Sequence, residues 1–576
     1  MPNILLQKQA NTQSYPHINP FSRLSKLLLG LALGWLVTAC ASLPSEVDRP
    51  ISTALGNTTQ TRLGQAVAAR ASTAGTLNDS GFALVGSAEL AFTSRMTLIK
   101  AAQKTLDLQY YAIHADDTTE RMFDALREAA QRGVRIRLLL DDFNTAGKNA
   151  QVLKLAFEKN IELRLFNPLP SGRGSAIFRI VSSLSDVANL QRRMHNKIFI
   201  ADNAIAITGG RNLGDTYFGQ SEGVNFVDID LLAAGRIARD LSRSFDQYWN
   251  NPLAYPVQSL MTQKDIEAIK PKPASSAAGN PDKLEDPAVL ARIAQDAANS
   301  AAANKTTVAR MITAPDGITT TIAALPDSTD LRLLTWTWAP SVMLVDKPSK
   351  IAADADSVEE SQDSAVDGLL SLMSQAKTDL LVVSPYFVPG EMMMGQFADI
   401  RKRGVRVRVL TNSLASNDAP AAHAGYARYR KALLGLGVEI YEMRAEQRSS
   451  IASFGSAAGS SGSSSGASRA SLHAKVVVID NRLLVVGSMN LDLRSKLQNS
   501  EVAVVVRNPK LSLEATRMIE PGMSAGAYRV ELINDQLIWR APQGSGLKDA
   551  TTEPDASLGL RLMVNLIAPF APDEML

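Results

Sequence analysis

Short apolar runs alternate with amphipathic stretches along most of the chain. Ala88 to Lys104 repeats its apolar positions at helical spacing, and Thr105-Leu106-Asp107-Leu108-Gln109-Tyr110-Tyr111 alternates as a strand does. Thr119 to Arg132 reads as an amphipathic helix stopped by Gly133, and Val134 to Leu140 as a strand ending in Asp141-Asp142. A β-α-β order of this kind predicts a mixed sheet with helices on its faces. The order then returns. Leu380 to Ser384 is a strand, Gln396 to Arg403 is helical and ended by Gly404, and Val405 to Leu410 is the next strand. Arg132-Gly133-Val134-Arg135-Ile136-Arg137-Leu138 parallels Arg403-Gly404-Val405-Arg406-Val407-Arg408-Val409. The pattern predicts an α/β protein built by internal duplication, two lobes about a pseudo-two-fold axis with a shared site between them.

A shorter repeat carries the chemistry. His195-Asn196-Lys197 runs on to Asp202, and His473-Ala474-Lys475 runs on to Asp480; both read H-x-K-x-x-x-x-D. Each is followed by a Gly-x-x-Asn, ending at Asn212 and Asn490, 17 residues after its histidine in both copies. The chain holds 5 histidines, so two of them in matched motifs is hard to ascribe to structure alone. His-x-Lys places an imidazole and an ammonium on the same face of a strand, because side chains alternate with a period of two. The apolar runs Ile198 to Ile200 and Val476 to Ile479 continue those strands. One copy makes half of a phosphate site. Two copies facing each other set two His, two Lys and two Asn around one phosphodiester.

That inventory suits phosphoryl transfer through the protein. One imidazole attacks phosphorus and the other protonates the leaving alcohol, then activates the incoming nucleophile. Lys197, Lys475, Asn212 and Asn490 are the expected donors to the phosphate oxygens. A carboxylate on one ring nitrogen of each histidine would fix its tautomer, and Asp228 and Glu501 are the candidates. No metal and no cofactor is expected, since the lysines supply the positive charge.

The duplicated motif resembles the signature of the phospholipase D superfamily. Arg192 to Lys197, Gly209 to Phe218, Phe226-Val227-Asp228-Ile229-Asp230 and Phe245 to Asn250 narrow the resemblance to the bacterial cardiolipin synthase C-like branch. It covers the chain from about Gly81 to the C-terminus. It implies two phospholipase D-like lobes, each a mixed β-sheet flanked by helices, and transfer of a phosphatidyl group between phospholipids. The catalytic set it implies is His195, Lys197, Asp202, His473, Lys475 and Asp480. His195 is the nucleophile and His473 the acid and base by analogy. Asp202 and Asp480 are expected to position their loops rather than touch phosphate. The expected partners are phosphatidylglycerol, a second phospholipid such as phosphatidylethanolamine, and a membrane surface. The competing readings are a hydrolytic phospholipase D and a catalytically weak membrane-surface scaffold.

A net charge of +3 gives no bias toward polyanions, so no nucleic acid is expected. The single cysteine excludes an internal disulfide. Arg23 and Lys26 precede an apolar run from Leu27 to Val37, then Thr38-Ala39-Cys40. This reads as a lipoprotein leader with Cys40 as the acylated residue. Ala41 in place of Asp points to the outer membrane, on its periplasmic side. The expected organisation is a leader over residues 1–39, a flexible tether over 40–80, a first lobe over 81–260, a connector over 261–307 and a second lobe over 308–576. Within the last, the Ser/Gly-rich stretch 449–471 is expected to be disordered. Met392-Met393-Met394 is either a lipid-facing edge or the first turn of a helix. His114 either lines the cleft or ends a strand, His423 is expected to be structural, and Leu558 to Leu576 to lie against the second lobe or a membrane.

Overall fold

A computed structural model describes residues 43–76, 78–145, 147–169, 190–261, 265, 310–313, 319–322, 326, 328–352, 364–446, 469–568 and 573. Cys40, nearly all of the connector 261–307 and residues 449–468 of the Ser/Gly stretch lie outside them. From Pro44 onward the described elements belong to one unit.

Two nine-stranded sheets carry the fold. The first is ordered Thr337–Ala339, Ser80–Val85, Asp230–Gly235, Ile205–Gly209, Ile198–Ala201, Thr105–Tyr110, Arg135–Asp141, Ile161–Phe166, Ala254–Pro256. The second is ordered Ser341–Val345, Val502–Arg507, Leu483–Gly487, Val476–Ile479, Asp379–Val383, Arg406–Asn412, Glu439–Met443, Ala527–Ile533, Gln536–Arg540. Position by position the motif strand sits fifth from one edge of the first sheet and fourth from that of the second. Around it the order is the same: each motif strand lies antiparallel between its hairpin partner and the strand opening the β-α-β unit. Thr105–Tyr110 then pairs in parallel with Arg135–Asp141, as Asp379–Val383 does with Arg406–Asn412. The duplication is therefore one of topology as well as of motif.

The motif strands are apolar on both faces because both faces are covered. Ile198 and Ile200 join a core shared with Val476, Val478, Leu484 and Val486 of the other lobe. Phe199 and Ala201 turn to the first lobe's own core, Val477 and Ile479 to the second's. The helices Arg236–Trp249 and Pro509–Gly526 add Leu241, Ala515 and Ile519 to the shared core. Asp117–Gln131 is started by a capping box on Asp116 and stopped at Gly133, whose φ of 90° a glycine accepts readily.

Three expected boundaries are corrected. The supposed tether 40–80 contains the helix Arg62–Thr73, capped by the Thr61 hydroxyl. Ahead of it, Arg164 donates to the Pro50 carbonyl (2.6 Å), Arg137 to that of Ser52 (2.9 Å), and Ala54 N–H to Asp246 (2.8 Å). Buried arginines thus hold a polar strap that carries little apolar pattern of its own. The lobes divide later than residue 308. Thr337–Ala339 still pairs with the first sheet, and Ser341–Val345 begins the second immediately after Pro340. The stretch 449–471, expected to be disordered, is ordered from Arg469 onward. Arg469–Leu472 is a strand paired in parallel with Val224–Val227 of the first lobe, with Ala470 and Leu472 buried between the lobes.

Candidate active site

Each histidine is delivered by its own lobe and held by the other. The His195 N–H donates to the Ser500 carbonyl (2.9 Å), and the next residue, Glu501, accepts from His195 Nδ1 at 3.0 Å with both oxygens. The His473 N–H donates to the Val227 carbonyl (2.8 Å), and the next residue, Asp228, accepts from His473 Nδ1 at 2.8 Å. The two expected carboxylates therefore act crosswise. With Nδ1–H committed to a carboxylate, each ring keeps its Nε2 lone pair free. Both histidines are buried.

The close approach of the lobes explains a glycine of the motif. A Cβ on Gly210 would stand 2.5 Å from an Asp228 oxygen and 2.8 Å from the His473 carbonyl oxygen. At the matching place the second copy has Ser488. Its hydroxyl donates to Glu501 and accepts from the Val502 N–H (3.0 Å), and Ser495 donates to the other Glu501 oxygen (2.9 Å). The two half sites are thus alike in layout and unlike in their hydrogen bonding.

Lys197 and Lys475 are buried, each donating to the carbonyl of its own histidine, at 2.8 and 2.6 Å. They remain within electrostatic reach of each other and of the histidine across the interface. Burial, then Lys197 and Lys475, pushes His195 well below the ordinary imidazole range. Burial and Lys475 bring His473 to about 4, although Asp228 pulls the other way. Burial also brings Lys475 down to about 8 and depresses Lys197. Glu501 is raised by burial to about 7, with Lys197 and the two serines opposing. Burial works against Asp228 too, but the His473 hydrogen bond and the surrounding cations hold it below the usual carboxylate range. Burial and the two lysines thus hold both imidazoles toward their neutral form.

Asn212 bridges the Ala112 N–H (3.2 Å) and the Tyr217 hydroxyl (2.9 Å). Asn490 is 4% exposed, and its side-chain oxygen has no hydrogen-bond partner among the described residues. Asp202 and Asp480, which the motif groups with the catalytic residues, do not belong with them spatially. Each follows its strand Ile198–Ala201 or Val476–Ile479, which places it beyond about 13 Å of strand. Asp202 accepts from the backbone N–H groups of Gln103, Lys104 and Thr105, and Asp480 from those of Lys377, Thr378 and Asp379. Both stand at positive φ in the hairpin turn, with Asn203 and Asn481 beside them. They lock the turn to the neighbouring strand.

Aromatic rings wall the site. Tyr111 meets His195 edge-on at 5.1 Å; Tyr217 and Phe226 flank His473 at 5.3 and 4.9 Å. None of the three is predicted by the motif; the sequence pattern places Tyr111 only as the last residue of the strand that starts at Thr105. His114 lies behind Tyr217, stacked at 6.2 Å. His423 is buried on Glu553 and Arg430, as a structural residue would be. Met392–Met394 opens the helix Gly390–Lys402, with Met393 buried and Met392 exposed.

Comparison with known proteins agrees with this geometry. The family "Cardiolipin synthase, PLD-like domain" matches residues 96–249 and again 369–521, one match per lobe. Cardiolipin synthase C of Escherichia coli is 33% identical over 489 residues, covering 84% of this chain and 94% of that protein. This chain belongs to the phospholipase D superfamily and is cardiolipin synthase-like. A cardiolipin synthase of Geobacillus kaustophilus is 23% identical over 421 residues, 73% of this chain and 61% of the relative. A phosphatidylserine synthase structure from Haemophilus influenzae shares the fold, with a TM-score of 0.51 at 13% identity over 88% of this chain and 98% of its own. Membership brings a phosphatidyltransferase or phospholipase D-type activity on phospholipids.

Proposed function

We propose that this phospholipase D-like protein makes cardiolipin, transferring a phosphatidyl group from one phospholipid to the glycerol hydroxyl of phosphatidylglycerol. The observation that carries the reading is the crosswise pair of dyads, His195–Glu501 and His473–Asp228, sharing two buried lysines. The E. coli relative points to the same product.

The lipid phosphate neutralises the positive potential of Lys197 and Lys475, and so raises the proton affinity of both imidazoles. His195 Nε2 attacks phosphorus while the bond to the head-group oxygen breaks. His473, protonated in the complex, gives its Nε2 proton to that oxygen, and the alcohol leaves. His473 then takes the proton from the hydroxyl of phosphatidylglycerol, whose oxygen attacks the phosphatidyl-histidine and frees His195. Lys197 and Lys475 hold the non-bridging oxygens, and Asn212 and Asn490 flank them. Glu501 and Asp228 keep each ring in one tautomer and steady the imidazolium when it forms.

The protein would act from the periplasmic face of a membrane, acylated at Cys40, probed by whether labelled palmitate is lost in Cys40→Ser. The chemical reading is tested by acid quench during turnover of labelled phospholipid and peptide mapping. A phosphatidyl adduct on His195 in the wild-type protein, absent from His195→Ala, supports it. An adduct on another residue contradicts it.

A further inference from the structure

The helix Leu558–Ile567 has two apolar faces and uses one. Leu560 and Val564 pack toward Leu414 and Ala424, and Ile567 against Val388 and Ala421. The other face is bare: Leu558, Leu562 and Leu566 are 71%, 61% and 72% exposed, and Met563 beside them 40%. Their spacing of four residues aligns them in one stripe. The helix has two polar side chains, Arg561 and Asn565. Arg561 is turned back onto the Glu553 carbonyl (2.6 Å) and Thr552 (3.2 Å), so it does not break the stripe. Asn565 is exposed at the edge of the stripe; a helix with apolar residues on both faces is normally buried.

The packed face of the helix lies close to residues that reach the catalytic pocket. Ala421, on which Ile567 rests, is three residues from exposed Asp418. Asp418 accepts from the Tyr386 hydroxyl (2.9 Å) and acts electrostatically on Lys475 and Tyr217 in the catalytic pocket. From Val388, under Ile567, the chain reaches Gly390, which abuts Leu493 three residues beyond Asn490, and then exposed Met392. Buried apolar contacts thus link the helix to the loop that carries Asn490, and Glu391 and Met392 are where this path reaches solvent.

We propose that the Leu558–Ile567 helix docks this face of the protein on a phospholipid bilayer, so that the pocket opens onto the lipids it draws on. The inference rests on phospholipid being the substrate. Ten residues are too few to span a bilayer, which takes about 20. A short helix with a free apolar stripe instead lies in the interface with that stripe among the acyl chains. Lipid need then move only from the bilayer surface to the neighbouring pocket. A second copy seated on the same stripe would obstruct that approach.

The test uses the full chain on vesicles of phosphatidylglycerol and phosphatidylethanolamine, some with brominated acyl chains. In Leu566→Trp, the added emission is expected to be quenched by brominated lipid. Leu562→Glu with Leu566→Glu is expected to lower turnover of vesicle lipid roughly tenfold or more. Turnover of a short-chain phospholipid in free solution should change less than about twofold, which also shows that the variant is folded. Absence of quenching overturns the proposal. So does a dimer that the Glu pair converts to monomer while vesicle turnover is kept, because a second copy would then own the surface. If neither lipid form is turned over by the parent protein, the proposed function fails, and the quenching still decides the surface.

Discussion

Each of the two proposed catalytic histidines depends on a carboxylate set by the opposite lobe. Truncating His195 or His473 to Ala removes a nucleophile or an acid, and turnover should fall by about 10³-fold or more. Glu501→Gln and Asp228→Asn keep the shape but lose the charge that steadies the ring. Each should lower kcat by roughly 10²–10⁴-fold with little change in thermal midpoint. A pH profile of kcat/KM checks the electrostatics. Lys475 at about 8 loses its charge as pH rises, so activity should decline above that value. Lys475→Arg, which stays charged, should move the decline upward if it retains activity. Asp492 gives a stability counterpart. Burial raises it to about 7, so the folded state holds its proton where the unfolded chain has released it. Its contribution to stability therefore declines as pH rises from about 4 to 7 and is flat above. The melting temperature of Asp492→Asn, whose amide still caps the helix Leu493–Leu497, should gain on wild type across that window.

At the scale of elements, the motif hairpin is a structural unit with its reactive end at one edge and its lock at the other. Asp202→Ala removes the acceptor of three backbone N–H groups and should cost roughly 1–3 kcal/mol in denaturant unfolding. Its kcat should stay within several-fold of wild type, in contrast to Lys197→Ala on the same hairpin. The strands and helices of both β-α-β units are legible in the sequence because their patterns are local: alternation for Thr105–Tyr110, 3.6-residue spacing for Asp117–Gln131. The strap before Arg62 is not legible, since its order comes from hydrogen bonds to Arg137, Arg164 and Asp246 far along the chain. The strand Arg469–Leu472 escapes for a similar reason. Its partner is in the other lobe, and its composition continues that of the Ser/Gly stretch.

At the scale of the whole molecule, two sheets share one core and one site. The His–Lys pairs and the asparagines are legible because duplication repeats them at fixed spacing, whereas the carboxylates stand at unequal distances, 33 and 28 residues after their copy's histidine, and are legible only as acidic residues downstream of each motif. That Glu501 serves His195 and Asp228 serves His473 is not, because crosswise pairing follows from how the lobes face each other. The rings of Tyr217 and Phe226 likewise reach His473 only after the lobes have met, whereas Tyr111 meets His195 within the first lobe. Leu484→Ala, in the shared core, should destabilise by about 2–5 kcal/mol and lower activity by loosening the crosswise hydrogen bonds. Denaturation followed together with turnover would show both losses.

The most direct measurement is the lipid product formed by the purified protein from labelled phosphatidylglycerol, with and without phosphatidylethanolamine, beside His473→Ala. Phosphatidyl transfer between facing half sites predicts labelled cardiolipin and a released head-group alcohol from the wild type, and neither from the variant. Phosphatidic acid as the sole product would show that water takes the phosphatidyl group, and the absence of any lipid product would contradict a phospholipid substrate.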